Sequence, residues 1–409
     1  MMQVVFPVTF LPEFSAWHSG VLPYPVLVCI QILVAVSGAA YIYKLQAGQI
    51  PENAATGSLF LVLGGIYFTS MVFRLIAGLS LAGNSTWFSA ILPSVFHIAL
   101  AAYLIAAGFY HKRGSAQFIA WAAYPLTISL VVLGHILLID LGSNLTVATL
   151  TPVLFGAIAI TLLEYFFPYR QQWRPVAKDM LNDAAYMLLV QNVLPKFLGF
   201  TVAILMLGGI QNGSQSINGL WPHHWSLFAQ VILMLIAAEF VRYWLHRMSH
   251  SWSPLWRFHA VHHSPHKVYW MNVGRFHPFE KSLQYVFDTL PFLILGVSEN
   301  VLALYFVFYA TNGFFQHCNI SVRLGFFNYI VSGPELHRWH HSKIAKQSNH
   351  NFGNNLIIWD LLFGTWFLPK GKAVTELGLI NRNYPDTLPD QLRAPFIKGL
   401  DKHRSEDAS

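Results

Sequence analysis

The chain has 409 residues, 55% of them apolar and only 11% charged, with a formal net charge of +7. A soluble domain carries roughly 25% charged residues, so this composition excludes a water-facing globule and fits a polytopic membrane protein. The two cysteines, Cys29 and Cys318, support neither a disulfide framework nor a thiolate metal site.

The N-terminal segment MMQVVFPVTFLPEF shows no basic stretch leading into an apolar core and a small-residue cleavage site, so the first apolar run is expected to act as the insertion signal. Runs long enough to cross a bilayer core are read at about Tyr24–Tyr43, Ser58–Ser80, Phe88–Phe109, Gln117–Leu138, Val147–Phe166, Ala185–Leu207 and Leu227–Leu245. A further stretch, Gln284–Phe315, is broken by Ser298-Glu299-Asn300 and reads as a hairpin of two short helices. Lys44, Lys112, Arg113, Arg170, Arg174 and Lys178 fall on one side of these spans. Residues 1–23, 81–87, 139–146 and 208–226, on the other side, hold no Lys or Arg. The positive-inside rule then puts the N-terminus outside and everything after Leu245 on the cytoplasmic face. The basic residues therefore suit an anionic leaflet, and no nucleic-acid partner is expected. Arg74 and Lys196 lie inside apolar runs; snorkelling is expected of Lys196, while Arg74 stays open.

Three parts follow from this order. Residues 1–165 form an N-terminal membrane region of about five spans, 166–369 a catalytic region, and 370–409 a polar tail whose end, DKHRSEDAS, is expected to be disordered. The junction, Leu162–Pro175, carries Pro168 and basic residues suited to ending a helix at the interface.

The chemistry lies in three histidine boxes. His246 and His250 stand in HRMSH, His259, His262 and His263 in HAVHH, and His337, His340 and His341 in HRWHH. Residues four apart share a helix face, so each box is expected to present its imidazoles as one cluster. Imidazole is a neutral ligand for iron, zinc or copper, and eight exceed what one ion takes, so two ions are expected. His317, after the hairpin, is a ninth candidate. His277 in RFHPFE is a tenth, with pairing to Glu280 as its alternative. His266 and His350 lie beside boxes but off their spacing. His223 and His224 fall in an outside loop, and His97 and His135 stand alone as structural residues. Ligating imidazoles need their second nitrogen anchored; Glu239, Glu280, Glu335 and Asp360 are the nearby carboxylates.

HRMSH, HAVHH and HRWHH in that order, with a hydrophobic hairpin between the last two, resemble the sterol desaturase and fatty acid hydroxylase superfamily of membrane di-iron oxygenases. EFVRYWLHR, RFHPFE and NFGNNLIIWDLLFGT add to the resemblance, which covers roughly Glu164–Leu368. It implies an all-α fold: a transmembrane helix bundle with a cytosolic, histidine-rich helical cap holding a dimetal site. Its implied ligands are the eight box histidines and His317. Where some members have another histidine this chain has Gly313 beside Asn312, so His277, Asn312 or water is left to complete the second ion.

The resemblance implies two Fe2+ ions with dioxygen as co-substrate, hydroxylating a membrane lipid, sterol or fatty acyl chain. A desaturase with the same site is the alternative, and a non-enzymatic metal-binding membrane protein the reading from another class. With no haem- or flavin-binding segment apparent, an external electron donor is expected: a ferredoxin, a cytochrome or their reductase. Arg257, Lys267, Arg275, Lys343 and Lys346 could dock an acidic donor, or simply face lipid headgroups. The end Asp407-Ala408-Ser409 lacks a lysine-type retention signal, which favours a bacterial inner membrane over endoplasmic reticulum. The oligomeric state is not readable from the sequence.

Overall fold

A computed structural model describes residues 115–211 and 220–400. The first three apolar runs, Arg74, His97, Cys29 and the terminal DKHRSEDAS lie outside the described residues. Among the described residues every regular element is helical, and only isolated bridges such as Pro168 with Ile320 occur in place of strands. The chain divides into two compact units, residues 1–156 and 157–409.

In the first unit, α1 (Ser115–Asp140) turns through Leu141–Asn144 into α2 (Leu145–Phe166). Asn144 starts α2 by accepting from the Val147 amide, a side-chain cap for one of the orphan donors of the first turn. The His135 ring bonds the Ala148 carbonyl at 3.1 Å, a structural use of that lone histidine.

α2 continues into the second unit, followed by α3 (Ala177–Leu188), a five-residue π segment (Leu189–Val193) and α4 (Leu194–Gln211). The sequence reading has one uninterrupted span here. Pro195 explains the difference: it has no N–H, and its ring crowds the carbonyl four residues back, which the wider π turn relieves. Lys196 is exposed on α4.

α5 (Leu227–Ser251) is the pivotal element. Ser226 caps it through the Ala229 amide. Phe228, Ile232, Ile236, Phe240, Trp244 and Met248 form an exposed apolar ridge at four-residue spacing, suited to lipid. The opposite face buries Met234, Ala238, Tyr243 and His250. α5 runs past the end of its apolar stretch, so the first histidine box forms its last turns. Together with Ile119–Asp140, Leu145–Phe166 and Ala177–Ile204, it is one of four helical stretches long and apolar enough to cross a membrane. The protein is thus a polytopic helical membrane protein.

α6 (Ser253–His263) carries the second box, and a 3-10 turn (Trp270–Gly274) leads to α7 (Pro278–Asp288), α8 (Leu290–Ile294) and α9 (Glu299–His317). The hairpin bends at residues 295–298, with Gly296 at φ 74°, a conformation that suits glycine. α10 (Pro334–His340), α11 (Ala345–Ser348), α12 (Ile358–Leu362) and α13 (Leu388–Arg393) complete the cap. Residues 370–400 are folded onto it: Val374 and Leu377 pack with Trp173, Val268 and Trp339, while Tyr384 and Ala394 join Tyr186, Val261 and Phe276.

Candidate metal centre

Nine histidines converge in two buried groups. His246, His250, His259, His263 and His340 offer one nitrogen each within 4.8 Å of one another, and His262, His317, His337 and His341 do the same. The boxes do not stay together as expected. His259 and His263 go to the first group and His262 to the second; His337 and His341 go to the second and His340 to the first. At about 100° per residue, positions i and i+4 differ by about 40°, whereas i+3 lies about 60° to the other side. One HxxHH box therefore aims at two points, and two boxes facing each other divide reciprocally. The groups are neighbours: His263 stacks on His341 with ring centroids 4.4 Å apart.

Outer partners fix the protonation of most rings. Nδ1 donates to the Phe352 carbonyl from His246 (2.6 Å), to the Arg275 carbonyl from His262 (3.3 Å) and to the His350 carbonyl from His340 (2.8 Å). It donates to Glu280 Oε1 from His259 (2.7 Å), to Asn349 Oδ1 from His250 (3.2 Å) and to Asn272 Oδ1 from His317 (2.7 Å). Each acceptor forces the N–H onto Nδ1 and leaves Nε2 bare in the neutral ring. His246 Nε2 and His259 Nε2 nonetheless stand 3.0 Å apart. Two bare acceptors at that distance repel unless a cation lies between them. Nitrogens bound about 2.1 Å from one ion at right angles are about 3.0 Å apart. His263 Nε2 lies 3.1 Å from the Nε2 atoms of His250, His259 and His340, more contacts than one proton can serve. In the second group His317 Nε2 is buried with no hydrogen-bond partner. The donor set fits two cations.

Burial and the surrounding imidazoles hold His262, His263, His337 and His341 well below the usual histidine pKa, and burial lowers His340 to about 3. Such rings are neutral ligands at neutral pH.

The remaining candidates are placed elsewhere or one layer out. His277 caps α7: its Nδ1 accepts from the Phe279 amide at 3.1 Å and its Nε2 donates to the Leu392 carbonyl at 3.2 Å. Both nitrogens are engaged in this structural role, and His277 is in neither group. Glu280 anchors His259. Glu239 accepts from the amides of Asn354 and Asn355 and from the Asn355 side chain, and Asp360 from the amides of Phe352 and Gly353. These two carboxylates therefore hold the loop whose Phe352 carbonyl orients His246. Asn312 donates from Nδ2 to the carbonyls of Ser332 and Asn354. Glu335 instead holds the Leu324 amide and Asn328. His266 lies against Arg382, whereas His350 serves through its carbonyl.

Of the five basic residues read as a docking face, Arg275 is buried against Asp183, and Lys267 and Lys343 pair with Asp179 and Glu376. Asn272, Asn349 and Asp183 escape a sequence reading because nothing in their spacing marks them, and backbone carbonyls leave no sequence signal at all. A pocket lined by Trp256, Ala260, Lys343, Asn349 and Gly378 reaches His263.

The sequence profile of the fatty acid hydroxylase family matches residues 231–365, which hold all nine of these histidines. An ornithine lipid hydroxylase of Rhizobium tropici is 34% identical over 241 residues, 58% of this chain and 72% of that protein. An alkylglycerol monooxygenase of Xenopus tropicalis is 29% identical over 168 residues, 41% of this chain and 36% of that protein. A methylsterol monooxygenase of Arabidopsis thaliana is 25% identical over 139 residues, covering 34% of this chain and 52% of that one. No solved structure matches the chain. With its histidine boxes, its profile match and the extent of its likeness to the ornithine lipid hydroxylase, the chain belongs to the fatty acid hydroxylase family of the sterol desaturase and fatty acid hydroxylase superfamily.

Proposed function

We propose that this protein is a membrane-bound, oxygen-dependent di-iron monooxygenase that hydroxylates a C–H bond of a membrane lipid. The observation that carries the reading is the pair of all-imidazole groups, five and four histidines, at the end of a helix apolar enough to cross a membrane. His246, His250, His259, His263 and His340 would hold one ion and His262, His317, His337 and His341 the other. Iron held there supplies dioxygen activation, chemistry that side chains lack. The chain's own residues do the rest. Neutral imidazoles would bring no countercharge to a cation held there. Glu280, Asn349, Asn272 and the carbonyls of 275, 350 and 352 hold the rings in one tautomer and orientation. Burial keeps bulk water from the site.

A lipid substrate follows from the position of the groups at the end of α5 and accords with the lipids named for the relatives: ornithine lipid, alkylglycerol and methylsterol. The electrons come from a separate donor protein, and the cap faces the cytoplasm of a bacterial inner membrane.

The test is mass spectrometry of total lipids from cells making the parent protein or its His340→Ala variant under labelled dioxygen. The expected result is a lipid gaining one labelled oxygen only with the parent. A lipid losing two hydrogens without label would assign desaturation instead, and no change with a matched electron donor present would sink the enzymatic reading.

A further inference from the structure

The two histidine groups hang from different supports. The first leans on Glu280 and on the 349–352 loop. In the second, His337 Nδ1 and His341 Nδ1 have no hydrogen-bond partner. The outer anchors of the group are those of His262 and His317, and both come from one short stretch: the Arg275 carbonyl at 3.3 Å and Asn272 Oδ1 at 2.7 Å. That stretch is the 3-10 turn Trp270–Gly274 with the residue after it.

The turn is fastened from α3 and its π segment. Asp183, fully buried, accepts from the Tyr269 hydroxyl through Oδ2 and from Arg275 Nε through Oδ1, so one carboxylate grips the residues on either side of the turn. Gln191, in the π segment, donates to the Gly274 carbonyl at 3.2 Å. Met187 closes over Gly274, where a Cβ would stand 2.5 Å from its Sδ. Asp183 lies well before residue 231, where the family match begins.

We propose that Asp183 is a positioning residue for the second metal group: by clamping both ends of the turn it sets the orientation of His262 and His317. The inference rests on the two-ion reading above. Removing one outer-shell partner of a ligating histidine costs about 10–100-fold in metal affinity. Loosening the turn acts on two such partners at one remove, so a loss of about tenfold is expected, confined to the second site.

Cobalt(II) titration of the full-length protein in detergent micelles, followed by d–d absorption, reads both sites. Asp183→Asn should weaken one of two bound ions about tenfold and leave the other unchanged. The d–d bands that change should be those that His317→Ala changes, and not those that His250→Ala changes. Asp183→Glu should restore part of the loss. Tyr269→Phe and Gln191→Leu, which each remove one fastening, should shift the same site by less and serve if Asp183→Asn does not fold. Equal weakening of both ions would make Asp183 a general structural residue and overturn the proposal, as would two unaltered affinities in Asp183→Asn, Tyr269→Phe and Gln191→Leu. A parent protein that binds fewer than two cobalt ions would overturn the two-ion reading itself, and the clamp with it.

Discussion

At His277 the ring caps a helix with one nitrogen and holds the Leu392 carbonyl with the other. His277→Ala should therefore leave metal content at the parent level and cost about 1 kcal/mol of stability, the usual worth of a cap; metal content and thermal midpoint together check this. The grouped histidines behave oppositely. Burial depresses the folded pKa of His262, His263, His337 and His341 well below the unfolded value near 6.5, and that of His340 to about 3. The unfolded chain then binds more protons than the folded one. Stability and metal retention are full above about pH 6.5 and are lost as pH falls toward about 3. Stepwise dialysis with metal analysis should trace a loss over that window, and retention down to pH 3 would contradict the neutral-ligand account.

At the scale of elements, α5 joins the membrane to the chemistry. One face is an apolar ridge at four-residue spacing; the other carries Glu239, His246 and His250 toward the cap. Glu239 and Asp360 hold the loop 351–355, and at Gly353 that loop leaves no room for a side chain. A Cβ there would meet the Leu356 carbonyl oxygen at 2.2 Å and Asp360 Oδ2 at 3.0 Å. The first is backbone and cannot swing aside. Gly353→Ala should cost about 2 kcal/mol, in the range of overpacked sites, and should shift the Phe352 carbonyl that orients His246. Weaker metal binding at the first group, with the second intact, is the expected result in cobalt titration. The π segment before Pro195 belongs to this scale too: a hydropathy reading sees only a long apolar run, whereas the widened turn aims Gln191 at Gly274.

At the scale of the whole chain, the last described segment is part of the body that carries the grouped histidines. The Gly378 amide donates to the carbonyl of His341 at 3.1 Å, and Gln391 bonds Tyr186 and Ser264. Truncation after Pro369 removes Val374 and Leu377 from beside Trp339, two residues from His337 and His341. The truncated protein should lose most bound metal, measured as ions per chain against the full length. Full occupancy after truncation would show that the segment merely covers the cap. The sequence separates residues 370–409 because they are polar; their few apolar residues are what pack.

The sequence alone determined the membrane class, the four apolar helices among the described residues, and the histidine boxes, because hydropathy and spacing are local properties of a chain. HxxHH also held the angular offset that sends its histidines two ways, although a helix by itself names no targets. Only the tertiary structure decided which box meets which, that His317 joins the second group while His277 does not, and that Asp183, Asn272 and three backbone carbonyls orient the rings. Those contacts join residues 10 to 106 positions apart, and many of them use carbonyls that every residue shares. Their identity is set by how helices pack, not by which residue types stand in line.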